Sequence, residues 1–83
     1  MSPTEFKRIR EKMGLTQIEL ADLFGLSGRN PITHYEMGFR KPSALIVALM
    51  RLFDELPEKK SLEFRALLYE RVHHNKRRKK KQT

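Results

Sequence analysis

Thr16-Gln17-Ile18-Glu19-Leu20-Ala21-Asp22-Leu23-Phe24-Gly25-Leu26-Ser27-Gly28-Arg29-Asn30-Pro31-Ile32-Thr33-His34-Tyr35-Glu36-Met37 is the stretch whose reading decides the fold. Thr16 followed three residues later by Glu19 is a capping box, in which each side chain satisfies a backbone amide of the other. Leu20, Ala21 and Phe24 then mark the buried side of a short helix that Gly25 stops. Leu26-Ser27-Gly28-Arg29 is a turn. Asn30 has the chemistry of an N-cap, and Pro31 suits a first helical position because its missing N–H has no partner there in any case. A second short helix is therefore expected over about Pro31 to Met37, closed by Gly38. Two helices this short, joined by a glycine-containing turn, form a helix-turn-helix pattern.

The flanks extend the same punctuation. Ser2 and Glu5 make another capping box, and Phe6, Ile9 and Met13 give a first helix one apolar side up to Gly14. Ser43 caps a helix expected to bury Leu45, Ala48, Leu49, Leu52 and Phe53 before Pro57 stops it. A last helix, from about Glu58 or Ser61 to His73, carries Phe64, Leu67, Leu68 and Val72 on one side. No segment alternates with period two, so the fold class is all-α: five helices with a basic C-terminal tail. The expected organisation is one domain over residues 1–75 and a disordered basic tail over residues 76–83.

Composition narrows the function classes. The chain has 83 residues, 18 Lys plus Arg, 10 Asp plus Glu and a net charge of +8. Lys76 to Lys81 supply six of the basic residues, which leaves 12 basic against 10 acidic side chains in residues 1–75. A terminal excess of this kind suits a polyanion, nucleic acid before membrane. There is no cysteine, which excludes disulfides and thiolate metal sites and fits a reducing cytoplasm. The longest apolar run, Ala44 to Met50, is too short to span a bilayer. Catalysis is disfavoured: no carboxylates pair in an apolar setting, no nucleophile has a positioned base, and no glycine loop is built for phosphate. His73 and His74 adjoin without further ligands, so no metal or other cofactor is expected.

With Ile32 and Tyr35 turned inward against Leu20, Ala21 and Phe24, helical spacing turns Arg29, Asn30, Thr33 and His34 outward at the start of the second short helix. That end enters the major groove in helix-turn-helix docking. Arg pairs with guanine at O6 and N7, Asn with adenine at N6 and N7, and a Thr methyl with the thymine methyl. Asn30 has two readings here, as helix cap and as base reader, and its spacing does not choose between them.

Thr4 to Phe53 resembles the Cro/CI, or XRE, family of phage and bacterial repressors, whose fold is the lambda-repressor-like five-helix domain. The resemblance lies in Gly14-Leu15-Thr16-Gln17, Glu19-Leu20-Ala21, Phe24-Gly25-Leu26-Ser27, Ile32-Thr33-His34-Tyr35-Glu36, Gly38 and Arg40-Lys41-Pro42-Ser43. It implies base readers at Arg29, Asn30 and His34, and an Arg10–Glu36 pair tying the first helix to the recognition helix. It also implies that Gln17 anchors a phosphate, with Thr16, Gly28, Arg40 and Lys41 along the backbone. Six residues, Leu26 to Pro31, separate Gly25 from Ile32, one more than in most relatives, as in some antitoxin-type members. Lys76, Arg77 and Arg78 are expected to add phosphate contacts. Phe64, Leu67 and Leu68 are expected to form a homodimer interface.

The resulting expectation is a cytoplasmic transcriptional repressor, nucleoid-associated when bound, that holds an inverted-repeat operator in double-stranded DNA as a dimer. The alternatives are an antitoxin or phage anti-defence operon regulator with a toxin or other protein partner, and a non-specific nucleic-acid-binding protein.

Overall fold

The computed structural model describes the backbone of residues 1–82 and the side chains of residues 1–74. Five helices follow one another: α1 (Pro3–Lys12), α2 (Gln17–Leu23), α3 (Asn30–Met37), α4 (Ala44–Glu55) and α5 (Glu58–Gln82). No strand occurs among the described residues. α1 packs on α3 and α4, while α2 packs on α3 and α5. The helix-turn-helix pair is thus held from two sides.

The caps explain the boundaries. Ser2 Oγ accepts the Glu5 amide, Thr16 Oγ1 accepts the Glu19 amide, and the Glu19 carboxylate returns the bond to Thr16 N–H at 2.9 Å. Ser43 Oγ accepts the Ile46 amide. The start of α3 departs from expectation. Arg29 carbonyl accepts the Thr33 amide, so Arg29 occupies the cap position without a side-chain bond, and Asn30 is already the first helical residue. α5 continues past the expected end at His73. The disorder expected of residues 76–83 lies outside the residues whose side chains are described.

Phe6, Ile9, Leu20, Ile32 and Met50 are fully enclosed, and Ala21, Leu23, Ile46 and Phe53 complete the core. Leu20, Ala21, Ile32 and the α1 pair stand where periodicity places them. Tyr35 and Phe24 are half-buried against the core, and the Tyr35 ring lies 5.5 Å from that of Phe6. On α4, Phe53 is buried and Leu49 packs on the core as expected, but Ile46 and Met50 fill the rest of the inward face, and Leu45, Ala48 and Leu52 are exposed instead. Residues 44–50 are apolar almost without break, so helical period has nothing to contrast with, and packing on α1 makes the choice.

Two features fasten the outer elements. Asp54 on α4 receives Arg8 Nη2 at 3.1 Å and Lys12 Nζ at 2.9 Å from α1. The hydrogen bond from Arg8, then that from Lys12, hold the Asp54 carboxyl below the usual carboxylate range. On the other side, α5 crosses the turn after α2. A Cβ at Gly25 would lie 2.7 Å from Val72 Cγ1, and His73 Nε2 lies 3.3 Å from Asp22 Oδ1. Arg65 Nη1 donates to the Met13 carbonyl at the end of α1.

Candidate nucleic-acid interface

The surface in question is built on α3, and its position is set by Glu36. The Glu36 carboxylate accepts Arg10 Nε at 2.6 Å and Arg10 Nη2 at 3.2 Å, a two-point guanidinium–carboxylate contact. The two side chains are only 11% and 5% exposed. Arg10 also donates to the Leu15 carbonyl, which draws in the loop before α2. The pair expected between α1 and the recognition helix is present, and its burial makes it a rigid joint rather than a surface contact.

The same carboxylate extends the joint. Gln17 Nε2 donates to Glu36 Oε1 at 3.1 Å, and the Thr33 hydroxyl donates to Gln17 Oε1 at 3.0 Å. A carboxylate only accepts, so Gln17 must turn its NH2 toward Glu36, and its oxygen is then the proper partner for a hydroxyl proton. The chain Arg10–Glu36–Gln17–Thr33 therefore fixes the angle between α2 and α3. Gln17, half-buried, acts as a bridge between the helices. Any phosphate contact falls to its second amide hydrogen and to the backbone N–H groups that open α2.

Of the expected base readers, Arg29 and Asn30 are exposed, and Thr33 and His34 are half-exposed. Asn30 makes no cap, since Arg29 holds that position, so its amide keeps its donors and acceptor. Asn30, His34 and Met37 lie on one face of α3 at spacings of four and three residues. Thr33 borders that face with its hydroxyl proton engaged by Gln17. Thr16, Gly28, Arg40 and Lys41 are all exposed around the pair. The Thr16 oxygen is taken by its cap, but its hydroxyl proton is available to an acceptor. Lys76, Arg77 and Arg78 lie outside the residues whose side chains are described.

Two residues on this surface escaped the sequence reading. Met37 is 60% exposed and Phe39 is 68% exposed. Gly38, at φ +81°, ends α3 in the left-handed region and sends the chain back across its last turn. An exposed Phe just beyond the glycine that stops a helix gives no periodic signal. Its proximity to His34 needs that reversal of the backbone to be known.

On α5, Phe64 and Leu68 pack on the chain's own core, with the Phe64 ring 5.2 Å from that of Phe53. Leu67 is 58% exposed, as are Leu62 and Tyr69 to lesser degrees. Of the three residues expected at a dimer contact, Leu67 alone is largely open.

A polar-faced helix pair of this build is shared by many regulators, and likeness to known proteins narrows it. The family model for the antitoxin component of a bacterial toxin–antitoxin system, MqsA, matches residues 1–64. The chain belongs to the MqsA antitoxin family. It is 34% identical over 58 residues to the antitoxin MqsA of Escherichia coli (strain K12), covering 70% of this chain and 44% of that relative. The chain thus spans less than half the length of that antitoxin. No solved structure matches it. The matched residues 1–64 contain α1 to α4 entire, with Arg29 to His34 and the Arg10–Glu36–Gln17–Thr33 joint. No helix among the described residues is long and apolar enough to cross a membrane.

Proposed function

We propose that this chain is a DNA-binding antitoxin of the MqsA family that represses its own operon by occupying an operator in double-stranded DNA. α3 enters the major groove, N-terminus first. Arg29, Asn30 and His34, with Thr33 beside them, meet base edges, while Thr16, Gln17, Gly28, Arg40 and Lys41 lie along the phosphates. The observation that carries this reading is the unengaged state of Arg29 and Asn30 on a helix that a buried joint holds rigidly. Repression is steric: a chain seated on promoter DNA excludes polymerase from it. This DNA-reading architecture is the one expected of the Cro/CI family.

A two-fold dimer through the exposed residues of α5, Leu67 foremost, would set two copies of α3 on successive faces of the groove, about 10 base pairs apart. The inverted repeat follows from that symmetry. The toxin implied by the family's description is the second partner. A toxin gene next to this one, whose product co-purifies with the chain, is the outcome that distinguishes an antitoxin from a free-standing repressor.

Selection of bound duplexes from a randomised DNA pool tests the reading directly. A recovered inverted repeat is expected. His34→Ala and Arg29→Ala should each weaken binding to it by about 1–3 kcal/mol and relax one base pair. Equal enrichment of all sequences, with binding abolished by deletion of residues 76–83, would instead identify a non-specific nucleic-acid-binding protein.

A further inference from the structure

Phe39 is a large apolar side chain that the fold leaves in the open, 68% exposed, on the surface expected to face DNA. Its position is not accidental to the backbone. Gly38 takes a left-handed φ of +81°, and both the Phe39 and Arg40 amides then donate to the His34 carbonyl, at 3.0 and 3.3 Å. This is a Schellman-type stop, in which the residue after the glycine returns over the helix residue whose carbonyl it caps. The apolar contact that accompanies such a stop here falls on His34 itself. The Phe39 and His34 rings meet edge to face, with centroids 6.0 Å apart.

We propose that Phe39 is a specificity-determining positioning residue, whose ring holds the His34 imidazole in the orientation that reads a base pair. The inference rests on the DNA-reading role assigned to His34. Its physical basis is the entropy of a half-exposed side chain. An imidazole with no partner samples several rotamers, and only some of them aim a ring nitrogen at a base edge. An edge-to-face neighbour fixed by two backbone hydrogen bonds removes part of that freedom before DNA arrives. Because Phe39 itself buries little surface, removing its ring should disturb His34 while leaving the fold standing.

The test uses the full chain, the duplex it selects from a randomised pool, and the three single-base-pair substitutions at the position that His34→Ala relaxes. Phe39→Ala is expected to reduce discrimination at that base pair by about two- to tenfold, the range an aromatic pair contributes. Discrimination at the pair relaxed by Asn30→Ala should stay unchanged, and affinity for random duplex should stay within about twofold. Phe39→Tyr should restore the discrimination, and Phe39→Ala added to His34→Ala should cost nothing further. Unchanged discrimination in Phe39→Ala overturns the proposal, as does an equal loss on selected and random DNA, which would make Phe39 a backbone contact. If the unaltered chain selects no sequence, the DNA-reading role of His34 falls, and this proposal with it. A thermal melt of Phe39→Ala coincident with that of the unaltered chain separates either result from unfolding.

Discussion

Replacing Glu36 by Ala should destabilise this protein by about as much as truncating a fully enclosed core residue of α3 such as Ile32. The carboxylate accepts three hydrogen bonds, two from Arg10 and one from Gln17, and both members of the ion pair are nearly enclosed. Without it, the Arg10 guanidinium stays buried with the Leu15 carbonyl as its remaining partner. Breaking one side of a buried pair costs about 3–5 kcal/mol, mostly because the surviving charge is left desolvated. At ~0.05–0.15 kcal/mol per residue, a chain of this size has about 4–12 kcal/mol to lose. Thermal melts by far-UV circular dichroism should therefore show Tm falling by about 12 °C or more, at roughly 4 °C per kcal/mol. Urea melts should give the same loss with an unchanged slope. The double variant Arg10→Met/Glu36→Leu removes both charges and should recover most of the deficit, since apolar replacements of buried pairs are close to neutral. A loss below about 1 kcal/mol in Glu36→Ala would refute the reasoning, because that is the value of a solvated pair.

Three further outcomes follow from single features. Gly25→Ala should cost more than Gly28→Ala: both glycines have positive φ, worth about 1–2 kcal/mol to an L residue, but only at Gly25 does the new Cβ meet Val72. Adding Val72→Ala should relieve part of the first loss and none of the second, as measured by urea melts; equal costs at the two glycines would contradict the close approach. The lowered Asp54 pKa means that its stabilisation is complete above the ordinary aspartate range and disappears as pH falls through the folded-state value. Asp54→Asn should thus lower Tm at neutral pH and low salt, and converge with the unaltered chain in strong acid or at 1 M salt, about 3 Å screening length; a deficit that persists in acid would point to packing instead. Gln17→Ala removes two hydrogen bonds worth about 0.5–1.5 kcal/mol each and unfastens α3 from α2, so binding should weaken on every duplex alike. A loss confined to one base pair would mark Gln17 as a reader.

Much of this was legible from caps and glycines. Ser2, Thr16 and Ser43 mark three helix starts by local chemistry that needs no tertiary partner, and Gly14, Gly25 and Gly38 mark the stops. The outward face of α3 was legible because Ile32 anchors it. Four things were not. The face of α4 was hidden by an apolar run with no polar contrast. Leu23 was missed because α2 is covered on a second side by α5, which widens its buried arc beyond one periodic stripe. The Asn30 cap lost to Arg29, whose carbonyl begins the helix one residue earlier, and only the backbone path of the turn decides that competition. Phe39 belongs with these: chain reversal, not spacing, sets it beside His34.

The crossing of α5 over the turn bears on where this protein can be cut. α5 closes the end of α2 and its turn through Val72 and His73, holds the end of α1 through Arg65, and packs Leu68 on the core. All four lie beyond residue 64, where the likeness to the antitoxin family ends. A fragment trimmed to the matched residues keeps Arg29, Asn30, Thr33 and His34, the residues proposed to read bases, yet uncovers Leu23 and releases the turn that carries Arg29. The family likeness outlines the helix-turn-helix and its joint, and the unit that folds and holds them still is longer by at least two turns of helix.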